Sequence, residues 1–197
     1  MLLKRILAYF IDMLIVTLAA SMLANISYLN PKLDEYNKIY KDYTMVYEKY
    51  KDSEITLEEY NELSLDYSYE LEKNNIFTVI ISISTIIAYF AFFQKFNNGQ
   101  TLGKRIMKIK IVNNLSLFKY LLRTIILYNI LFNLLKIVFV LTISKENYIL
   151  ASNILYVAAL IVETTTLILI NIRKDNRGLH DLIVNSKVLP AKDLKEV

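Results

Sequence analysis

Hydrophobic residues gather in four long runs along the chain, and polar residues gather between them. The runs cover residues 6–25, 76–93, 120–141 and 149–172. Lengths of about 18 to 24 residues are sufficient to cross a hydrocarbon core roughly 30 Å thick. A soluble all-α protein is the alternative, but buried helices of soluble proteins rarely run so long without charge. The pattern therefore predicts an all-α membrane protein with four transmembrane helices, forming a single domain over residues 1–197.

The first run could also open a secretory signal peptide, because the cations Lys4 and Arg5 precede it. Asp12 interrupts its apolar stretch, however, and no clean Ala-x-Ala cleavage site follows; residues 19–21 come nearest. An uncleaved membrane anchor is the favoured interpretation.

Residues 28–75 are the one long hydrophilic segment, and they show helical periodicity. Apolar and aromatic residues recur there at alternating steps of three and four, at Leu33, Tyr36, Tyr40, Tyr43, Tyr47 and Tyr50. Thr56 followed by Glu59 fits a capping box that starts a second amphipathic helix. We expect an amphipathic helical hairpin outside the cytoplasm, acting either as a stiff spacer or as a docking surface for a partner.

Charge is distributed unevenly between the polar segments. Residues 28–75 carry twelve Asp and Glu against six Lys, whereas residues 94–119 carry six Lys and Arg and no acid. The positive-inside rule then predicts a basic cytoplasmic face, with both termini in the cytoplasm and the hairpin outside. The expected location is the plasma membrane (inner membrane) of a bacterial-type cell, and the basic charge gives no reason to expect a nucleic-acid partner.

The basic segment contains two of the chain's three glycines, Gly99 and Gly103. Their spacing is one residue too short for a phosphate-binding P-loop, and Arg105 stands where such a loop needs Ser or Thr. Residues 106–112 alternate roughly with period two, which indicates a short amphipathic strand or an interfacial segment.

Charged residues inside the apolar runs need a reason, because a charge in the bilayer is costly. These residues are Arg5, Asp12, Arg123, Lys136 and Glu163. Asp12 is two helical turns from Arg5, a rise of about 10 Å, so each needs a partner elsewhere. Two main interpretations stay open. The first is structural pairing, in which Asp12 pairs with a cation, Arg123 lies at the interface and Lys136 snorkels outward. The second is an ion or proton pathway through Asp12 and Glu163. Binding of lipid headgroups or a substrate by the basic face is a third.

The amino-acid composition argues against several kinds of functional site. The chain has no cysteine and one histidine, which excludes disulfides and thiolate metal sites and argues against a His-based metal site. His180 beside Asp181, with no nucleophile at a recognisable spacing, indicates packing or capping, with pH sensing as the alternative. We expect no enzymatic activity, no metal and no cofactor.

Three short stretches together resemble the RDD family of membrane proteins, named for an arginine and two aspartates. Arg5, Ala8 and Asp12 match its first-span pattern Arg-x-x-Ala-x-x-x-Asp. Residues 98–105, which include Thr101, Gly103, Lys104 and Arg105, resemble its Thr-Leu-Gly-Lys-Arg segment, and Arg123 is similar to the arginine that usually follows. Residues 177–183 resemble the closing segment, with Asp181 as the second aspartate. Asn113-Asn114 replaces a frequent glycine turn, and Asn185-Ser186 replaces a frequent Gly-Thr.

The resemblance implies a membrane protein linked in some members to antiport of sodium or other monovalent cations against protons. We therefore expect monovalent cation/proton transport, with Asp12, Asp181 and Glu163 carrying charge and Arg5 and Arg123 setting their ionisation. Four spans are few for a transporter built from inverted repeats, so further copies or another membrane subunit are expected partners besides the bilayer. The alternative is a non-transporting scaffold or accessory protein that docks a partner through the hairpin or the basic face.

Overall fold

The computed structural model describes residues 1–112 and 115–191. Its helices are α1 (Leu2–Ala24), α2 (Leu33–Lys51), α3 (Leu57–Asn74), α4 (Ile76–Phe96), α5 (Leu102–Ile106), α6 (Leu117–Leu127), α7 (Ile130–Thr142), α8 (Lys145–Ile172) and α9 (Leu179–Ile183). Two strands, β1 (Ile109–Val112) and β2 (Lys187–Pro190), pair antiparallel. Asn113-Asn114 and the end of the predicted domain, residues 192–197, lie outside the described residues.

Three helices are long and apolar enough to cross a membrane: α1, α4 and α8. Helices α6 and α7 pass the same test together, although they meet at an angle of 66°. The described chain therefore has three membrane-spanning helices, or four if this bent pair is one span. The predicted all-α membrane fold is confirmed at this level.

The third run, expected as one helix over 120–141, is broken at Tyr128 and Asn129. Asn129 has a left-handed backbone, with φ of 52°, which ends α6 before α7 begins. Asparagine tolerates this conformation better than most residues. The apolar pattern hides the break, because both halves remain hydrophobic.

Helix α4 is also irregular, since its residues Ala88–Phe93 form a π-helical segment. Such wider turns are commonly found at functional sites. Here the segment carries Tyr89 and Phe90, two side chains that reach charged groups of the site described below.

The strand pair lies at the end of the bundle where α1 begins and α8 ends. Ile109 pairs with Pro190 and Val112 with Lys187. The strand expected over 106–112 begins only at Ile109, because Leu102–Ile106 are helical. Around this pair lies the main hydrophobic core, made of Ala8, Ala91, Ile109, Ile111, Leu115, Tyr120, Val184 and Val188. This core joins the strand pair to α1, α4 and α6.

Helices α2 and α3 pack against each other through tyrosine rings at the opposite end of the bundle. The Tyr50 and Tyr60 ring centroids are 4.7 Å apart, and those of Tyr43 and Tyr67 are 6.2 Å apart, as an antiparallel pair requires. The predicted capping box is present, since Glu59 N donates to Thr56 and Thr56 N donates to the Glu59 carboxylate.

Helix α3 is fastened to the bundle by a few polar contacts. Lys136 on α7 lies 3.0 Å from the Glu72 carboxylate, and Tyr69 donates to the Val140 carbonyl at 3.1 Å. Lys136 thus reaches out of the apolar region toward this polar end, as the snorkelling interpretation expected.

Candidate functional site

The three stretches singled out in the sequence meet at one end of the helix bundle. Helix α1 contributes Arg5 and Asp12, α5 contributes Lys104, and α9 contributes Asp181. All four are largely buried, although they come from distant parts of the chain. The Arg5 side chain is 10% exposed, and Asp12, Lys104 and Asp181 are 1%, 9% and 0% exposed. Arg105, by contrast, is exposed and lies outside this cluster.

Asp181 is held between two arginines. Arg5 Nη2 lies 2.5 Å from its Oδ2, Arg123 Nε lies 3.0 Å from its Oδ1, and Ser186 Oγ donates to Oδ1 at 2.8 Å. Its side chain has no exposed surface. Burial alone would raise the pKa of Asp181, but Arg123, His180 and Arg5 beside it hold that pKa well below its usual range. The carboxylate is therefore ionised and fixed in place.

Arg5 makes a second connection that closes this end of the protein. Its Nη1 donates to the backbone carbonyl of Asn176, in the turn between α8 and α9. One guanidinium group thus joins the start of α1 to two points of the closing segment. Such a forked arrangement is available to arginine but not to lysine.

Asp12 has three neutral hydrogen-bond donors and is 1% exposed. Tyr89 Oη donates at 2.7 Å, Gly103 N at 2.7 Å and Thr101 Oγ1 at 2.5 Å. The expected ion pair between Asp12 and a cation is not found among the described residues. Asp12 instead fastens α1 to α4 and α5 through hydrogen bonds.

Gly103 and Thr101 make this contact possible. A Cβ atom on Gly103 would lie 2.3 Å from the Ala8 carbonyl oxygen and 2.8 Å from Asp12 Oδ1, so only glycine permits the approach. Thr101 caps α5 by accepting from Lys104 N at 3.3 Å while its hydroxyl donates to Asp12.

Lys104 and His180 are buried but lack hydrogen-bond partners for their side chains. Within residues 1–112 and 115–191, the Lys104 ammonium makes no hydrogen bond or ion pair, and it lies 5.9 Å from the Phe90 ring centroid. His180 Nδ1 and Nε2 are both unpartnered, although Nε2 lies 3.4 Å from Asp181 Oδ2. Burial lowers the pKa of His180 to about 4, so the imidazole is neutral at pH 7, which argues against a pH sensor near neutrality.

A cavity of about 410 Å³ lies between α1 and α8 and joins these groups. Its polar lining includes Tyr9, Tyr128 and Thr166 and the charged or imidazole side chains of Arg5, Asp12, Lys104, Arg123, Glu163 and His180. The remaining walls are mostly apolar, with Ile6 and Phe10 on α1 and Leu167 and Ile170 on α8. We call the group of Arg5, Asp12, Lys104, Arg123 and His180 the floor of the cavity, and the apolar lining residues its walls.

Glu163 lies inside the membrane-spanning helix α8. It is nine residues from the end of α8, a distance of about 14 Å along the helix. Asn129 Nδ2 donates to its Oε1 at 2.6 Å, and the buried Asn129 Oδ1 has no partner. The α6–α7 break therefore places an amide oxygen and a carboxylate together in the apolar region.

Tyr89 was not foreseen from the sequence, because one tyrosine among fifteen gives no signal. Asn129 lies on a polar stripe of the third apolar run with Asn133 and Lys136, which indicates a helix face turned toward a polar neighbour. The departures at 185 and 186 are explained by the structure: Asn185 has φ of 54°, a conformation that glycine also adopts, and Ser186 supplies a hydroxyl as threonine would.

The helices and the charged cluster define an integral membrane protein whose ends are joined by a buried ionic network. The family model of the RDD family matches residues 1–185. The chain therefore belongs to the RDD family. No curated protein and no solved structure matches it.

Proposed function

We propose that this protein exchanges a monovalent cation for a proton across the plasma membrane, alone or as a subunit of a larger transporter. The observation that carries the proposal is the contact between Glu163 and Asn129 at the break between α6 and α7. An ionisable side chain in a membrane-spanning segment usually marks an ion or proton pathway.

The chemistry of this contact suits a small cation. Oxygen ligands are available from the Glu163 carboxylate and from Asn129 Oδ1, which lacks a partner. In known transporters, discontinuous helices also form cation sites inside the membrane. Because a carboxylate binds either a proton or a cation, competition between them at Glu163 gives exchange.

This proposal assigns the other acidic residues a different role from that expected on resemblance alone. Asp181 is clamped by Arg5 and Arg123, and Asp12 by three donors, so both are suited to holding the helices together. The cavity would connect Glu163 to the basic end of the bundle. We further propose a non-enzymatic protein of a bacterial-type inner membrane with that basic end and both termini in the cytoplasm.

The test is cation-driven proton movement in vesicles that contain the purified protein. Sodium or potassium pulses should dissipate an imposed pH gradient with the wild type but not with Glu163→Gln. Glu146→Gln is the matched control, because Glu146 is an exposed residue in the first turn of the same helix. If wild-type vesicles move no more protons than empty ones, autonomous exchange is wrong.

The second candidate function is a scaffold that docks a partner on α2. No residue of α2 is buried, and Tyr40, Met45 and Tyr47 leave about half of their surface exposed, at 52%, 44% and 51%. Tyrosine is enriched in recognition surfaces. If docking is the function, a triple substitution of these three residues by serine should abolish cellular function, and wild-type vesicles should move no more protons than empty ones.

A further inference from the structure

The floor of the cavity between α1 and α8 has three cations, Arg5, Arg123 and Lys104, against two carboxylates, those of Asp12 and the adjacent Asp181. We infer that it binds the phosphate headgroup of an anionic membrane phospholipid, with the upper part of one acyl chain lying between α1 and α8. This inference concerns the basic floor and goes beyond ion exchange at Glu163.

The charge arrangement leaves one cation free. Arg5 and Arg123 are both engaged by Asp181, and the Asp12 carboxylate is occupied by three neutral donors. The Lys104 ammonium remains, 9% exposed and lining the cavity, with no acceptor among the residues described. A buried charge without a partner is costly, and a bound anion would remove that cost.

His180 adds a hydrogen-bonding group beside this ammonium. It is 1% exposed and lines the same cavity; Nε2 lies 3.4 Å from Asp181 Oδ2, and Nδ1 has no hydrogen-bond partner. A neutral imidazole carries one N–H donor. An anion oxygen at the floor could accept from Lys104 and from His180, which would satisfy two groups that are otherwise unpaired.

The walls of the cavity identify the anion as part of a lipid. Ile6, Ile170 and Leu127 form apolar surface above the polar floor. At the mouth, Phe10 and Leu167 are 64% and 61% exposed, on helices that face the bilayer. A free inorganic anion would use the floor alone, whereas a phospholipid uses the floor and the walls together.

The position of the floor is suited to a headgroup. Arg5 is near the first turn of α1, where its guanidinium contacts Asn176 and Asp181 of the closing segment, and α5 packs beside Ala8 and Asp12 in the first half of α1. Lipid phosphates are found at this level of a bilayer, and basic pockets between helices on the cytoplasmic side are known to take anionic headgroups. A volume of about 410 Å³ suffices for a headgroup and the start of one chain.

The ionisation of Lys104 is consistent with this inference. Burial, together with Arg123, lowers the pKa of Lys104 to about 7, against the opposing effects of Asp12 and Asp181. An anion at the floor would favour the charged form of this lysine.

The experiment uses the delipidated full chain in a neutral detergent. Dioleoyl phosphatidylglycerol and dioleoyl phosphatidylcholine, which share their acyl chains, are titrated separately, and bound lipid is counted by native mass spectrometry. We expect one phosphatidylglycerol per chain, bound about tenfold or more tightly than phosphatidylcholine, as a charge-assisted contact implies. No ion gradient is applied, so the outcome is independent of transport.

Two variants make the test specific. Lys104→Met should weaken phosphatidylglycerol binding about tenfold without lowering the lipid-free Tm, because it removes an unpaired buried charge. Arg105→Gln, at the exposed neighbouring position of the same helix, removes one surface charge and should change binding less than about twofold, as exposed ionic contacts are weak.

Three results would overturn the inference. One is equal affinity for the two lipids, and another is an equal loss of binding in both variants, which would indicate general surface attraction. The third is that millimolar inorganic phosphate raises the wild-type Tm as much as phosphatidylglycerol does, since the site would then take a free anion and not a lipid.

Discussion

Gly103 N donates a hydrogen bond of 2.7 Å to Asp12 Oδ1, and the Gly103 Cα packs directly on the backbone of α1. This contact joins two sequence stretches that are ninety-one residues apart. It explains why a glycine follows Thr101-Leu102 and why an aspartate lies inside an apolar helix.

Gly103→Ala is expected to separate α5 from α1. The added methyl group would lie 2.3 Å from the Ala8 carbonyl oxygen, a backbone atom that cannot move aside alone. We expect a loss of stability of about 1–3 kcal/mol or more, as for overpacked cores, seen as a lower Tm in detergent. Gly178→Ala is the control, because its Cβ would meet only side-chain atoms, at 2.9–3.0 Å, and should cost less.

Asp181→Asn is expected to destabilise the protein strongly. The change leaves the Arg5 and Arg123 guanidinium groups buried without a counter-charge, and breaking a buried pair typically costs about 3–5 kcal/mol. Asp175→Asn provides the comparison, since Asp175 pairs with Arg173 and Arg177 at a more exposed position. Thermal unfolding should rank Asp181→Asn far below Asp175→Asn, and equal Tm values would contradict the structural role of the clamp.

The lowered pKa of Lys104 predicts that the stability of the folded protein depends on pH. This pKa is lowered from 10.5 to about 7 in the folded protein, so the unfolded state binds more protons between these values and stability rises with pH there. The slope is up to about 1.4 kcal/mol per pH unit. Without lipid, Lys104→Met should therefore exceed the wild type in Tm by more at pH 6 than at pH 9. The same difference at both pH values would show that Lys104 keeps an ordinary pKa.

Asn129→Gly removes the Asn129 side chain while it preserves the backbone break between α6 and α7. Glycine adopts the left-handed conformation of Asn129 readily, so the variant should keep the break and lose only the stability of one hydrogen bond to a charged group, up to about 1.5–3 kcal/mol. The Glu163 carboxylate loses its partner at 2.6 Å, and cation/proton exchange in vesicles should fall about tenfold, the typical effect of losing a charge-assisted hydrogen bond. Asn133→Ala, which removes only a 3.3 Å contact to the Asn129 carbonyl, should retain activity. Full activity in Asn129→Gly would remove this amide from the pathway.

The sequence predicted the membrane-spanning class because long apolar runs follow directly from bilayer thickness. Arg5, Asp12 and Arg123 were singled out in the sequence as charges inside apolar runs, and Lys104 and Asp181 through the resemblance to the RDD family. The pairing of these residues could not be predicted, because Asp181 could have taken either arginine and Asp12 could have taken Arg123. Only the folded chain brings Arg5 to Asp181 and leaves Asp12 with neutral donors.

The hydrophobic periodicity of the sequence could not predict the irregular parts of the helices. The α6–α7 break depends on one asparagine within a hydrophobic run, and the π-helical segment of α4 has no distinguishing composition. Both are local departures from regular helix geometry, and both position a group of the site. The interpretation of Glu163 as a partner of Asn129 follows from the break and not from the sequence spacing.

The most direct test of the account is proton release on cation binding to the purified protein. Sodium chloride is added to the wild type in weakly buffered detergent solution with a pH-sensitive dye, with choline chloride as the control salt. Competition at Glu163 predicts that sodium or potassium releases protons from the wild type and from Glu146→Gln, and none from Glu163→Gln. Equal release from Glu163→Gln and the wild type, or none from either, would contradict exchange at this carboxylate.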